Sequence, residues 1–125
     1  MPKYVVLSID QVIALHEAVI FKNELQGLAR DKSIDSVLNR VNNRLQYGFI
    51  SDVFDLAACY ATLIVKGHCF QDANKRTAVS AAYFILEVNQ IQVDFSDLSL
   101  GNWIIDIARG EKTEVELASW LRQLI

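Results

Sequence analysis

The chain has 125 residues, 52% of them hydrophobic and 22% charged, with five Gly and one Pro, a composition that excludes disorder, collagen-like repeats and low-complexity sequence. That length suits one packed domain, residues 1–125, with core enough to need neither a metal nor a disulfide staple. Twelve basic against fifteen acidic residues leave a net charge of −3, so no direct nucleic-acid partner is expected.

The opening MPKYVVLSID has too short an apolar run for a signal peptide. Nowhere does the chain approach the roughly 20 consecutive apolar residues that span a bilayer. A cytoplasmic protein without a membrane partner is expected. Tyr4 to Leu7 is a short extended run, and Ser8 with Gln11 forms a capping box for a first helix carrying Ile9, Val12, Ile13, Leu15, Val19 and Ile20 at helical spacing. His16 on that helix is assigned a structural place. The stretch Asn23 to Arg30 loses the period and contains Gly27, so it is a loop. Ile34, Val37, Leu38, Val41 and Leu45 define a second helix, capped by Asp31 or Ser33 and stopped by Gly48.

From Asp52 a more apolar helix runs to Gly67, whose glycine suits its C-terminal turn, and its composition predicts a central position. After a break at His68 to Ala73, the helical pattern resumes from Asn74 to Asn89 with the small residues Ala78, Ala81 and Ala82. Ile91, Val93 and Phe95 alternate as in a short strand. Two more helices follow, Asp97 to Arg109 ended by Gly110, and Glu114 to Leu124 opened by the box Thr113 to Glu116. The expectation is an all-α, compact bundle of about six helices, with at most a vestigial pair of strands from the two short extended runs. Cys59 and Cys69 form no CxxC and are read as buried free thiols in a reducing compartment.

One connection has an unusual composition. Gly67 to Arg76 reads GHCFQDANKR and holds a base, an acid, an amide and two cations between apolar helices. From Lys66 to Arg76 the local charge is +2, in a remainder of −5, which suits a small anionic ligand. Asn74 stands where a helix N-cap is expected, so Lys75, Arg76 and the N–H groups of the first turn converge. Cations there oppose the macrodipole unless an anion sits among them, and a phosphate satisfies all three groups. Asp72 is placed to hold magnesium together with phosphate oxygens. His68 suits a base for a hydroxyl nucleophile, and Phe70 points into the core. Singly, each has an ordinary reading: a structural histidine, a cap, a solvated helix face. Together within nine residues they describe a phosphotransfer site.

The run HCFQDANKR resembles the signature of the Fic/Doc family and matches the Doc (death-on-curing) form H-x-F-x-D-[A/G]-N-K-R at every position. Similarity extends from Ser8 to about Val93, through Leu28 to Asp31, Asp35 to Arg40 and Lys75 to Ala78. The resemblance implies an α-helical fold, His68 as general base, Asp72 as the magnesium ligand, and Ala73, Asn74, Lys75 and Arg76 around nucleotide phosphates, so that the catalytic set is His68, Asp72, Lys75 and Arg76. Ala73-Asn74-Lys75 replaces the Gly-Asn-Gly of the Fic form, and Val79 stands where Fic proteins carry a second arginine.

These departures imply the Doc reaction, in which the γ-phosphoryl of ATP passes to a hydroxyl of a protein substrate. The branch's target is elongation factor Tu, and its phosphorylation arrests translation. The alternatives are a Fic-type adenylyltransferase and a non-catalytic module that binds an antitoxin. No glutamate is followed by Gly or Asn, so the inhibitory pattern [S/T]-x-x-x-E-[G/N] of many Fic proteins is absent. The resemblance then implies a toxin restrained by a separate antitoxin, bound as a helix in a groove with Tyr47, Phe95 and Trp103 as candidate anchors. The Asn23 to Arg30 loop and the Tyr47 to Ser51 turn are both candidates for substrate docking.

Overall fold

Side-chain caps decide where the helices of the computed structural model begin. The structure describes residues 4–29, 34–93 and 99–124, and within them six helices follow in order: α1 (Ile9–Val19), α2 (Ile34–Gln46), α3 (Val53–Gly67), α4 (Asn74–Val88), α5 (Ser99–Ala108) and α6 (Glu114–Gln123). The boxes at Ser8/Gln11 and Thr113/Glu116 both form, each side chain bonding the other's backbone N–H, and Asp52 caps α3 by accepting from the Asp55 N–H at 2.8 Å. Gly48 and Gly110, at φ 77° and 78°, end α2 and α5. The residue after each glycine donates five positions back, Phe49 to Arg44 and Glu111 to Asp106, as in a Schellman turn.

α3 is the axis of the bundle because nearly all of its faces are apolar. Val53 and Leu56 through Val65 are buried, and α2, α4, α5 and α6 all pack on it. α4 makes the most extensive contact, its Ala78, Ala81 and Ala82 fully buried, since a methyl-lined face lets two backbones approach closely. Val12 from α1, Val41 from α2, Ile104 and Ile107 from α5 and Leu117 and Leu121 from α6 complete one hydrophobic cluster. At about 1.5–3 kcal/mol for each large apolar side chain removed from water, this cluster is the main reason the motif's loop has a fixed place.

Three local expectations change. Gly67 is not the left-handed residue ending α3; it stays helical and His68 takes that conformation at φ 47°. The glycine is needed for space, because a Cβ there would meet Val37 Cγ2 of α2 at 3.1 Å. Asn74 is the first residue of α4 and not its cap, which is Ala73 at φ 64° with no side-chain hydrogen bond. The two extended runs do not pair with each other among the described residues. The Asn89 side chain instead holds Val5, accepting from its N–H at 2.8 Å and donating to its carbonyl at 3.0 Å, and the one described β-bridge joins Leu28 to Phe70. Asp31, Ser33, Phe95 and Asp97 lie outside the described residues.

Both cysteines are free and buried. Burial, with the Glu114 charge adding, pushes the Cys59 thiol up to about 11, and burial raises Cys69 as well, so both remain uncharged thiols. No described helix is long and apolar enough to cross a membrane.

Candidate active site

The connection between α3 and α4 is bracketed by two residues in the left-handed region, His68 (φ 47°) and Ala73 (φ 64°). For residues with a Cβ this conformation costs about 1–2 kcal/mol each, so the surroundings must hold it. Phe70, 2% exposed, drives its ring into the core. Asn74 clasps the Phe70 main chain from both sides, accepting from its N–H at 3.1 Å and donating to its carbonyl at 2.9 Å. The outer edge is sewn to the 21–29 loop. Ala29 N–H donates to the Cys69 carbonyl at 2.9 Å and Gln71 N–H to the Gly27 carbonyl at 3.1 Å, while the Gln71 side chain donates to the Gln26 carbonyl.

With the main chain so held, His68, Asp72, Asn74 and Lys75 line one hollow of about 540 Å³. Val65 of α3 and Ile105 and Ala108 of α5 give it an apolar wall, and Gln71 and Arg109 complete its rim. His68 and Lys75 are exposed, and neither has an ion-pair or hydrogen-bond partner among the described residues. The half-buried Asp72 accepts from the Ala73 N–H at 3.0 Å through Oδ1. The first turn of α4 carries no acidic residue and receives no side-chain cap, so its N–H groups and dipole add positive potential to that of Lys75 and Arg109. A base, one carboxylate and a cationic helix start therefore share one concavity, which has the parts to bind a phosphate chain and deprotonate a hydroxyl beside it.

The donor set suits magnesium held largely by a ligand's own phosphates. Asp72 supplies one carboxylate, and the described residues contain no cluster of three or more His, Cys, Asp or Glu that would make an all-protein cage.

Arg76, expected beside the phosphates, faces elsewhere. Its guanidinium donates to the Val19 carbonyl at 2.7 Å, pairs with the Glu24 carboxylate, and lies 4.4 Å from the Phe21 ring centroid. The Arg76 hydrogen bond, aided by the Phe21 N–H, holds the Glu24 carboxyl below its ordinary value. Glu24 fits no inhibitory sequence pattern, yet it occupies the motif's last cation. Val79 is partly buried against the core. Of the candidate helix anchors, Tyr47 is 69% exposed, whereas Trp103 stacks on Trp120 with centroids 5.5 Å apart and carries Lys112 over its ring.

Two further residues, and the bond made by a third, escape sequence reasoning. Arg109 enters the hollow because α5 ends beside α3, a tertiary fact with no local signal. Glu24 sits in an aperiodic loop. His16 carried a signal, four residues after Val12 on the buried stripe of α1: it is 3% exposed, it bonds the Asp72 carbonyl through Nε2 at 2.9 Å, and it stacks on Phe70.

Comparison with known proteins agrees with this geometry. The sequence model of the Fic/DOC family matches residues 6–86, a span from just before α1 to near the end of α4 that contains the whole loop. The chain is also similar to the protein kinase doc of Escherichia phage P1, with 35% identity over 119 residues that cover 94% of each chain. The match and the helical architecture together assign this chain to the Fic/DOC family.

Proposed function

We propose that this chain is a Doc-type protein kinase that transfers the γ-phosphoryl group of ATP to a hydroxyl of a protein. The observation that carries the reading is the convergence of His68, Asp72, Lys75 and the uncapped start of α4 on one hollow. The phage relative's name, protein kinase doc, supports the same class of reaction. In this reading the phosphate chain lies along the α4 N-terminus and Lys75, and Asp72 shares a magnesium ion with it. The ion would neutralise charge that develops on the phosphates. His68 accepts the proton of the target hydroxyl as its oxygen bonds the γ-phosphorus, and the bond to the bridging oxygen breaks with its electron pair leaving on ADP. Arg76 reaches the phosphates by exchanging Glu24 for them.

The Doc resemblance makes elongation factor Tu the proposed target and translation arrest the outcome, in the cytoplasm where both ATP and the factor are found. Residues 1–125 act as one catalytic domain under this proposal. A separate antitoxin restrains the enzyme, an amphipathic helix whose acidic or bulky residue reaches the neighbourhood of Arg76.

Incubation with γ-labelled and with α-labelled ATP in a bacterial lysate tests the reaction. Label from the γ-position on a protein, and none from the α-position, is the expected result; α-label on protein would instead establish adenylyl transfer. Lys75→Gly, which restores the Fic residue without the arginine missing at Val79, is expected to lower phosphoryl transfer by about tenfold or more without creating AMP transfer. Full kinase activity in that variant would reduce Lys75 to a surface cation.

A further inference from the structure

We propose that His16 is a positioning residue of this site, fixing from α1 the peptide plane on which Asp72 and the start of α4 both depend; the proposal rests on the kinase reading above. The ring lies on the buried stripe of α1, where an apolar side chain would pack without having to satisfy polar atoms. Its polar atom is used. A carbonyl only accepts, so Nε2 carries the hydrogen and donates to the Asp72 oxygen at 2.9 Å. Its face is used as well, stacked on Phe70 with centroids 3.7 Å apart and planes 4° from parallel. The stack sets the plane of the ring and the hydrogen bond sets its rotation within that plane.

The bonded carbonyl belongs to the peptide joining Asp72 to Ala73, immediately before the left-handed residue that opens α4. Rotating that peptide would carry Ala73 out of its conformation, pull the Ala73 N–H from Asp72 Oδ1, and turn the first N–H groups of α4 away from the hollow. One part-buried hydrogen bond thus governs the direction of the carboxylate and of the helix start together. The stack, by contrast, serves core packing. The two contacts of one ring have separable consequences.

Two variants separate them. His16→Phe keeps an aromatic ring that can stack on Phe70 but removes the donor, whereas His16→Gln keeps a donor and removes the stack. In His16→Phe we expect kcat to fall about tenfold or more, with the melting temperature held. In His16→Gln we expect most of kcat to survive with a lower melting temperature. Activity and stability should therefore rank the two in opposite orders, which a purely structural role would not produce. Independently of activity, the Asp72 carbonyl carbon resonance should move upfield in His16→Phe and stay near its wild-type position in His16→Gln. Wild-type kcat in His16→Phe, activity that follows melting temperature in both variants, or an unmoved resonance in His16→Phe would overturn the proposal. A wild-type chain that transfers no phosphoryl group would overturn the kinase reading, and the resonance would then decide alone whether His16 holds the loop.

Discussion

The two ends of α3 solve the same problem, how to finish a buried helix, in opposite ways. At its N-terminal end the described carboxylates meet a guanidinium. Asp52 caps the helix from an extended conformation and Arg122 of α6 bonds both Asp52 and Asp55; further along, beside Cys59, Arg44 of α2 meets both oxygens of Glu114 at 2.7 and 2.8 Å. At the C-terminal end the main chain is held by side chains that form no ion pair, those of Asn74, His16 and Phe70, in a conformation that costs energy at two residues. Asp72 and Lys75 there face a hollow, while Arg76 is turned aside onto Glu24. Charge that only builds structure is neutralised within the fold, whereas charge kept for a ligand is left facing the space it would fill, and backbone strain accumulates where that arrangement is imposed.

The strongest way to break this contrast is at His68. Replacing it with Ala is expected to lower transfer by about 10²–10⁴-fold, the usual worth of a general base, while thermal denaturation stays near wild type because the side chain is exposed. A comparable initial rate in the variant would remove His68 from the reaction. Glu24→Gln probes the one ion pair that reaches the motif among the described residues. Without that carboxylate ATP has one competitor fewer for Arg76, so KM for ATP is expected to fall about two- to fivefold with kcat unchanged, the range of a solvent-accessible ion pair. A KM that does not move would show that Arg76 stays with α1 throughout the reaction.

The opposite end should respond in stability alone. Arg122→Leu is expected to cost about 1 kcal/mol in denaturant unfolding and nothing in kcat. Its pH dependence follows from Asp52. Burial pushes that carboxyl up, but the Arg122 hydrogen bonds, the Asp55 and Phe54 N–H groups and the guanidinium charge outweigh burial and hold it below its ordinary value. A carboxyl lowered by folding adds stability that is complete above the unfolded value of about 3.9 and is lost as pH falls through the lower folded value. The wild type's advantage over Arg122→Leu should therefore be constant near neutrality and shrink as pH drops below about 4. An advantage that persists into strong acid would mean that Arg122 acts through its packed stem and not its charge.

The same contrast explains what was legible in the sequence. All six helices could be read, because caps at Ser8 and Thr113 and stops at Gly48 and Gly110 are local chemistry laid over helical periodicity. The motif could be read because its nine residues are contiguous. The conformations inside it could not. Gly67 looks like the flexible position, yet Val37 of α2 is what demands it; Asn74 looks like a cap, yet it clasps Phe70 four residues back. Glu24 and Arg109 reach the loop from the 21–29 connection and the end of α5, across separations that no periodicity encodes, and the buried stripe of α1 marks His16 but not its bond to Asp72. Of the two docking candidates, residues 23–29 run beside the motif, bridged at Leu28 to Phe70, while the Tyr47 to Ser51 turn leads into the far, N-terminal end of α3.

The smallest expected effect is the most direct measure of the strain at the site. Ala73 holds φ 64° without a side-chain cap and is 7% exposed, and its Cβ makes that conformation cost about 1–2 kcal/mol. Glycine removes the penalty but gives the unfolded chain more freedom to lose, about 0.5–1 kcal/mol. The two terms nearly offset, so Ala73→Gly should stabilise the chain by no more than about 1 kcal/mol and leave transfer within about twofold of wild type, since the N–H that Asp72 accepts from belongs to the backbone. Ala73→Val, with a branched side chain in the same region, should instead destabilise by more than the glycine variant gains. Denaturant midpoints of the three proteins test the ordering Gly, Ala, Val. If valine proved as stable as alanine, residue 73 would not be held left-handed in solution, and the strained end of α3 would lose one of the two residues that distinguish it from the paired end.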